Sequence, residues 1–300
     1  METRQFGKTD MLVTVLGLGG VEVDGLSLAE MERLVGNALD TAGINVIDTA
    51  ECYGESEDLI GRATGSRRND FYLFTKCGHA VGEELPDLPD WHPRLLEASI
   101  ERSLRRLRTD HLDLLQLHSC SLDVLRKGDV IKVLEKAKHA GKTRYIGYSG
   151  DNEDARYAIR TGVFDALQTS INIADQQEID FTLPMAIERN MGIIAKRPLA
   201  NMAWMYDEVE PSAYYHQYWD RLRKLQYGFL QHKSEHSAEI ALRFTISVSG
   251  VHTAIVGTSN PDRMPTNAEF VAAGPLRPEL YQEIRARWEQ TTDQHWLGLV

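Results

Sequence analysis

The chain has 300 residues, 42% of them hydrophobic and 26% charged, and a formal charge of −11. That balance suits a globular protein with a large core rather than a disordered one, and the negative charge argues against a surface that neutralises nucleic-acid phosphates. The opening METRQFGKTD has no apolar run, no stretch reaches the roughly 18 uncharged apolar residues of a membrane span, and Cys52, Cys77 and Cys120 are odd in number without CxxC spacing. Neither membrane nor nucleic acid is therefore expected as a partner, and reduced thiols point to the cytoplasm.

Short apolar runs alternate with longer amphipathic stretches along the whole chain. Strands are predicted over 13–18, 44–48, 71–76, 112–117, 143–148, 166–170, 192–196 and 253–256, and helices over 28–42, 94–107, 130–140, 153–161, 183–190, 237–246 and 261–273. Eight strands with interleaved helices predict an α/β fold, a single (β/α)8 TIM barrel over residues 1–300, since no Pro/Gly/Ser-rich linker divides the chain. Two connections are long, 78–93 after the third strand and 199–211 after the seventh, the latter followed by a helical stretch at 214–229. Long loops after barrel strands lie on the C-terminal face, where active sites are built. A last helix, 278–290, falls outside the repeating pattern.

The strand pattern alone locates a candidate site. Asp48, Lys76 and His118 each stand at the C-terminal end of a predicted strand, and Tyr53 follows Asp48 by five residues. Singly, each has a plain structural reading: a turn cap, a surface ammonium, a core imidazole, a loop-packing ring. In a parallel barrel, however, all four converge on one rim. A phenol is a weak acid at neutral pH unless a neighbouring cation favours its phenolate. Lys76 supplies that cation, Asp48 pairs with Lys76, and His118 is placed to hydrogen-bond a carbonyl oxygen. Reduction of that carbonyl needs a hydride, which no side chain supplies, so a nicotinamide cofactor is expected.

Four segments carry a resemblance: NVIDTAECYGESEDLIGRA, SIERSLRRLRTDHLDLLQLH, GKTRYIGYSG and IVGTSNPDRMPTNAE. Together with RQFGKTDMLVTVLGLGG near the start, they resemble the aldo-keto reductase superfamily in the right order, out to about Phe270. The resemblance implies the catalytic tetrad Asp48, Tyr53, Lys76 and His118, NADPH as cofactor with NADH the alternative, and a small carbonyl compound as substrate. It does not indicate an oligomer. A cofactor-sensing or regulatory subunit on the same fold is the competing function.

The same resemblance implies the cofactor contacts. LGLGGVEVDG has Glu22 where a GxGxxG fingerprint needs its last glycine, so a Rossmann reading is set aside, and Gly20 and Asp48 are counted with the family's own cofactor site. Ser149 and Gln168 match positions that hold the nicotinamide carboxamide, with Gly150 where many relatives have Asn. Thr258, Ser259, Arg263 and Asn267 match the adenosine phosphate site, where Arg263 would contact a 2′-phosphate. Gly257 stands where some relatives have Lys, and Pro265 lacks an N–H and is expected to distort the turn carrying Arg263. Lys196 replaces a tyrosine that stacks on the nicotinamide in many relatives; Lys196 or Arg197 is expected on the cofactor's phosphates, with the backbone of Pro198 and Leu199 along the pyrophosphate path. Trp91, Trp204 and Tyr206 in the long loops are expected to wall the substrate pocket with Tyr53 and His118. No metal is expected, because the three cysteines have no short ligand spacing.

Overall fold

The computed structural model describes residues 1–82, 87–293 and 295–299. Among the described residues ten strands are formed: β1 (Thr3–Gln5), β2 (Leu12–Thr14), β3 (Leu16–Gly19), β4 (Val46–Asp48), β5 (Tyr72–Cys77), β6 (Leu112–His118), β7 (Thr143–Ser149), β8 (Ala166–Ser170), β9 (Gly192–Lys196) and β10 (Thr253–Gly257). The last eight close into a parallel barrel in chain order, with β10 pairing β3 to complete the ring. This is the expected (β/α)8 TIM barrel.

The first predicted strand, 13–18, is two elements. Leu12–Thr14 pairs antiparallel with Thr3–Gln5, and the barrel strand begins only at Leu16. The resulting hairpin stoppers the barrel base. Phe6, Met11 and Val13, all fully buried, pack against Val46, Phe74, Leu114, Ala166, Ile194 and Ile255 from the barrel strands, each such burial stabilising the fold by roughly 1.5–3 kcal/mol. Phe6 stacks on Phe74 at 5.6 Å between ring centroids. Its approach requires Gly192, where an added Cβ would stand 2.4 Å from the Phe6 ring. His252 closes the same end, its ring edge-on to Phe6 at 5.7 Å and its Nδ1 accepting the Ile193 N–H at 2.9 Å.

The connecting helices follow their apolar stripes. Leu28–Gly36 opens on a capping box in which Ser27 accepts the Glu30 N–H and Glu30 accepts the Ser27 N–H. The continuous helix expected to Ala42 instead widens into a π turn over Asn37–Thr41. Pro93–Arg106, Asp129–His139, Asn152–Thr161, Glu235–Ser247 and Arg263–Ala272 lie where expected, within two residues at either end. Leu183–Glu188 is shorter than predicted, and 214–229 contains the helix His216–Leu225. Ser56–Thr64 was not anticipated.

The final helix, Pro278–Thr291, leads into a tail that returns to the barrel mouth. Trp296 packs edge-on against Trp288 at 5.2 Å, the Leu299 N–H donates to Asp175 Oδ2 at 2.9 Å, and the Leu299 carbonyl accepts from Ser170 and Arg197 at 2.8 and 2.6 Å. In the connection predicted at 78–93, residues 83–86 lie outside the described residues. Among the described residues, no helix is long and apolar enough to cross a membrane.

Candidate active site

Side chains two residues apart on a strand share a face, so the apolar plug fixes what lies above it. Two positions beyond Val46, Phe74, Leu114, Ala166 and Ile194 stand Asp48, Lys76, Gln116, Gln168 and Lys196. The barrel interior therefore changes from apolar to polar in one step, at the C-terminal ends of the strands. At the centre of this layer Lys76 Nζ donates to Asp48 Oδ2 at 2.5 Å and to the Thr49 carbonyl at 2.8 Å. Both members of the pair are almost wholly buried. Gln116 Nε2 and Gln168 Nε2 donate to the two Asp48 oxygens at 3.3 and 3.2 Å. The carboxylate is thus bound from three sides.

Tyr53 follows in the turn after β4, its N–H donating to the Ala50 carbonyl at 3.1 Å. Lys76 Nζ lies 5.2 Å from the centre of its ring, and His118 stands edge-on to it at 5.7 Å. All four expected residues are therefore brought together. Burial raises the Tyr53 phenol above its usual range, and the Lys76 charge works the other way, in the expected direction, without cancelling that shift. Lys76 itself is raised, because although burial works against its charge, Asp48 and Tyr53 together outweigh it.

His118 ends β6. Burial, then the neighbouring Lys76 and His79, hold its imidazole well below the usual range, so it is neutral at pH 7. Cys52 Sγ is 3.3 Å from His118 Nδ1, and burial pushes that thiol up to about 12. In the tautomer where the thiol donates to Nδ1, the ring proton sits on Nε2, where it can serve as a hydrogen-bond donor. The His79 ring lies 5.1 Å from that of His118 and 5.1 Å from that of Trp91. Neither His79 nor Gln116 was singled out in the sequence. Gln116 had a legible signal, being two positions before His118 on one strand; His79 sits in a loop whose course no periodicity reveals.

The residues expected at a cofactor form an arc around the mouth. Ser149, the last residue of β7, is the register partner of Gln168 in the middle of β8. Gln168 Oε1 is buried without a hydrogen-bond partner among the described residues, as is Asn267 Nδ2 on the helix Arg263–Ala272. Gly20 donates its N–H to the Asp48 carbonyl at 2.7 Å, and a Cβ there would stand 2.6 Å from Ser56 Oγ. At Gly257 a Cβ would meet Glu22 Cγ at 2.9 Å, so a side chain there must first displace the Glu22 stem. Thr258 and exposed Ser259 lie in the turn between β10 and the helix, where Thr258 Oγ1 accepts the Asn260 N–H at 3.0 Å. Pro265 does not distort the Arg263 turn: it is the third residue of the helix, where no N–H is required. Arg263 meets Glu235 at 3.2 Å on the surface.

Three expectations shift. Lys196 Nζ is bound to buried Asp151 at 2.8 Å, with 15% of its own side chain exposed, and Arg197 donates to the Leu299 carbonyl, so each cation already has a protein partner. Pro198 is buried with its carbonyl accepting from Thr245 at 3.2 Å, while Leu199 is half-buried against the core. Of the three aromatic candidates, Trp91 reaches the tetrad through His79; Trp204 packs into the core at 7% exposure, and Tyr206 stacks on Tyr215 at 4.9 Å.

A phenol held beside a buried ammonium and an imidazole where the strands of a parallel barrel end is the arrangement of a barrel enzyme, whose polar groups meet at that face. The chain matches the model of the Aldo/keto reductase family over residues 15–289 and belongs to that family. It is accordingly a carbonyl-reducing oxidoreductase of a family that generally uses nicotinamide cofactors. It is similar to the uncharacterised oxidoreductase YqkF of Bacillus subtilis, 24% identical over 97% of both chains, and to L-galactose dehydrogenase of Arabidopsis thaliana, 26% identical over 99% of this chain and 97% of that one. Among solved structures it resembles the holo form of aldo-keto reductase AKR11C1 from Bacillus halodurans, with a TM-score of 0.84 and 26% identity over 99% of each chain.

Proposed function

We propose that residues 1–300 act as one domain that reduces an aldehyde or ketone with NADPH, and that Tyr53 is the proton donor. The observation that carries this reading is the position of the Tyr53 ring, 5.2 Å from the Lys76 ammonium that Asp48 holds at 2.5 Å. The nicotinamide cofactor supplies the hydride when bound. As negative charge develops on the carbonyl oxygen, Tyr53 transfers its proton to it and becomes a phenolate facing Lys76. The ammonium stabilises that phenolate, and solvent returns the proton. His118 orients the carbonyl by donating a hydrogen bond from Nε2. Gln116 and Gln168 keep Asp48 from rotating away from Lys76.

The residues present fit a nicotinamide dinucleotide. Gln168 Oε1 is a buried acceptor with no partner among the described residues, suited to a carboxamide N–H, and Asn267 Nδ2 is a buried donor beside the start of a helix, suited to a phosphate oxygen. Ser149, Gly20 and Thr258 complete the arc. Arg263 supports the phosphorylated cofactor because its partner Glu235 is 71% exposed and easily displaced. The test is turnover of NADPH against a panel of aldehydes and ketones for the wild type and Tyr53→Phe. Loss of about 10²–10⁴-fold in the variant, with NADPH binding retained, is expected for a general acid. Tight NADPH binding without turnover on any carbonyl would overturn the reading in favour of a cofactor sensor.

A further inference from the structure

Beside the tetrad stands a second cluster that the proposed reduction uses only in part. Cys52, His79 and His118 come from three different segments: the turn after β4, the connection after β5 and the end of β6. One ligand atom from each lies within 4.8 Å of the others, all three side chains being half-buried at the mouth. Cys77 and Cys120 take no part, since both are fully buried in the hydrophobic core.

We propose that Cys52, His79 and His118 form a binding site for a zinc-class transition-metal ion whose occupation shuts off carbonyl reduction. A tetrahedral site with Zn–S near 2.3 Å and Zn–N near 2.0–2.1 Å needs ligand atoms about 3.3–3.6 Å apart. Cys52 Sγ and His118 Nδ1 already stand at 3.3 Å, and the remaining separations close by side-chain rotations of about 1 Å. His79 is prepared for the role. Its Nδ1 lies 3.1 Å from Asp90 Oδ2, while the other Asp90 oxygen accepts the Ala80 N–H at 2.7 Å. An anchored carboxylate taking the Nδ1 proton leaves Nε2 as the ligand atom, the arrangement by which carboxylates orient metal-binding histidines. Sulfur and two imidazoles select a borderline-soft ion such as Zn2+ over Mg2+ or Ca2+. The nearby Lys76 charge is matched by Asp48. Coordination displaces one proton, from the Cys52 thiol to solvent.

Three protein ligands leave a fourth position open, for water or a substrate oxygen. The consequence for reduction rests on the proposed function: an ion held by Cys52, His79 and His118 sits at the mouth beside Tyr53, where the ion and its fourth ligand compete with the carbonyl for the space in front of the ring. Binding itself does not depend on that reading, and the two are measured separately.

The full chain, reduced and freed of metal by chelator, is titrated with Co2+ and then Zn2+. One equivalent of Co2+ should produce a thiolate charge-transfer band in the near ultraviolet, abolished by one equivalent of Zn2+. Cys52→Ser should remove the band, His79→Gln should weaken binding by more than about tenfold, and Asp90→Asn by about tenfold through His79. In the unaltered protein Zn2+ should protect Cys52 from iodoacetamide, a readout that needs no variant to fold. With NADPH and an active aldehyde, Zn2+ should abolish turnover and EDTA restore it, and in Cys52→Ser the inhibition should require at least about tenfold more Zn2+. Absence of the band, an unprotected Cys52, or equal affinity in the wild type and both ligand variants would overturn the site. Metal binding as described in a protein that reduces nothing would leave the site standing and remove only the proposed reaction.

Discussion

Replacing Lys76 by Met separates what the buried pair does for the fold from what it does for the reaction. The ammonium is 2% exposed and 2.5 Å from Asp48, so its removal leaves a carboxylate in the barrel interior with only Gln116 and Gln168 as donors. Breaking a buried pair from one side costs about 3–5 kcal/mol, and the two retained glutamine bonds hold the cost to the lower end, about 3 kcal/mol. For a chain of 300 residues that is a fall of roughly 5 °C in Tm. The double change Asp48→Asn/Lys76→Met removes the stranded charge, keeps an acceptor for the glutamines, and should recover most of the loss. Turnover should stay abolished in both, because neither retains a cation beside Tyr53. Thermal unfolding and steady-state reduction on the same samples decide it. If the double variant melts no higher than Lys76→Met, the stranded charge is not the cause; if either variant turns over normally, the pair lies outside the chemistry.

Two further outcomes follow. Glu235→Gln removes the carboxylate that competes for Arg263 at 3.2 Å, so NADPH should bind about two- to fivefold more tightly at low salt, the range of an exposed pair. Arg263→Ala should do the reverse, NADH binding should barely move in either, and fluorescence titrations showing equal effects on the two cofactors would refute the phosphate role. His252 is depressed from 6.5 to about 4 by burial, with the Arg4 charge adding to it. A depressed imidazole contributes stability that is present above its unfolded pKa and lost as pH falls through about 4. Allowing for its partial exposure, about 2 kcal/mol should disappear between pH 6.5 and 4. The urea midpoint of His252→Gln should decline less over that window, and parallel wild-type and variant curves would exclude the linkage.

How much could be read in advance depended on how local the cause was. The barrel strands were legible because β-branched and leucine runs bounded by turn residues need no distant information, and the strand ends then located Asp48, Lys76 and His118. VTVLGL reads as one strand because nothing in it shows that Thr3–Gln5 will claim its first half. The helix Ser56–Thr64 was hidden by Gly61, whose low propensity argues against a helix. The reason for that glycine is tertiary: a Cβ would stand 2.2 Å from the Arg106 carbonyl of the next helix. Lys196 was assigned to phosphates because its partner, Asp151, belongs to a different strand-end loop. His79 and Asp90 escaped notice for the same reason, as their meeting depends on a loop path that side-chain pattern does not encode.

The stopper formed by Phe6, Met11 and Val13 gives the barrel the topology of a cup rather than a tube. A cup has one opening, so molecules that stack within it must depart in the reverse of their order of arrival. If the deeper berth along the strand ends belongs to the dinucleotide, it is the first to arrive and the last to leave, an order set by the filled interior below the polar layer.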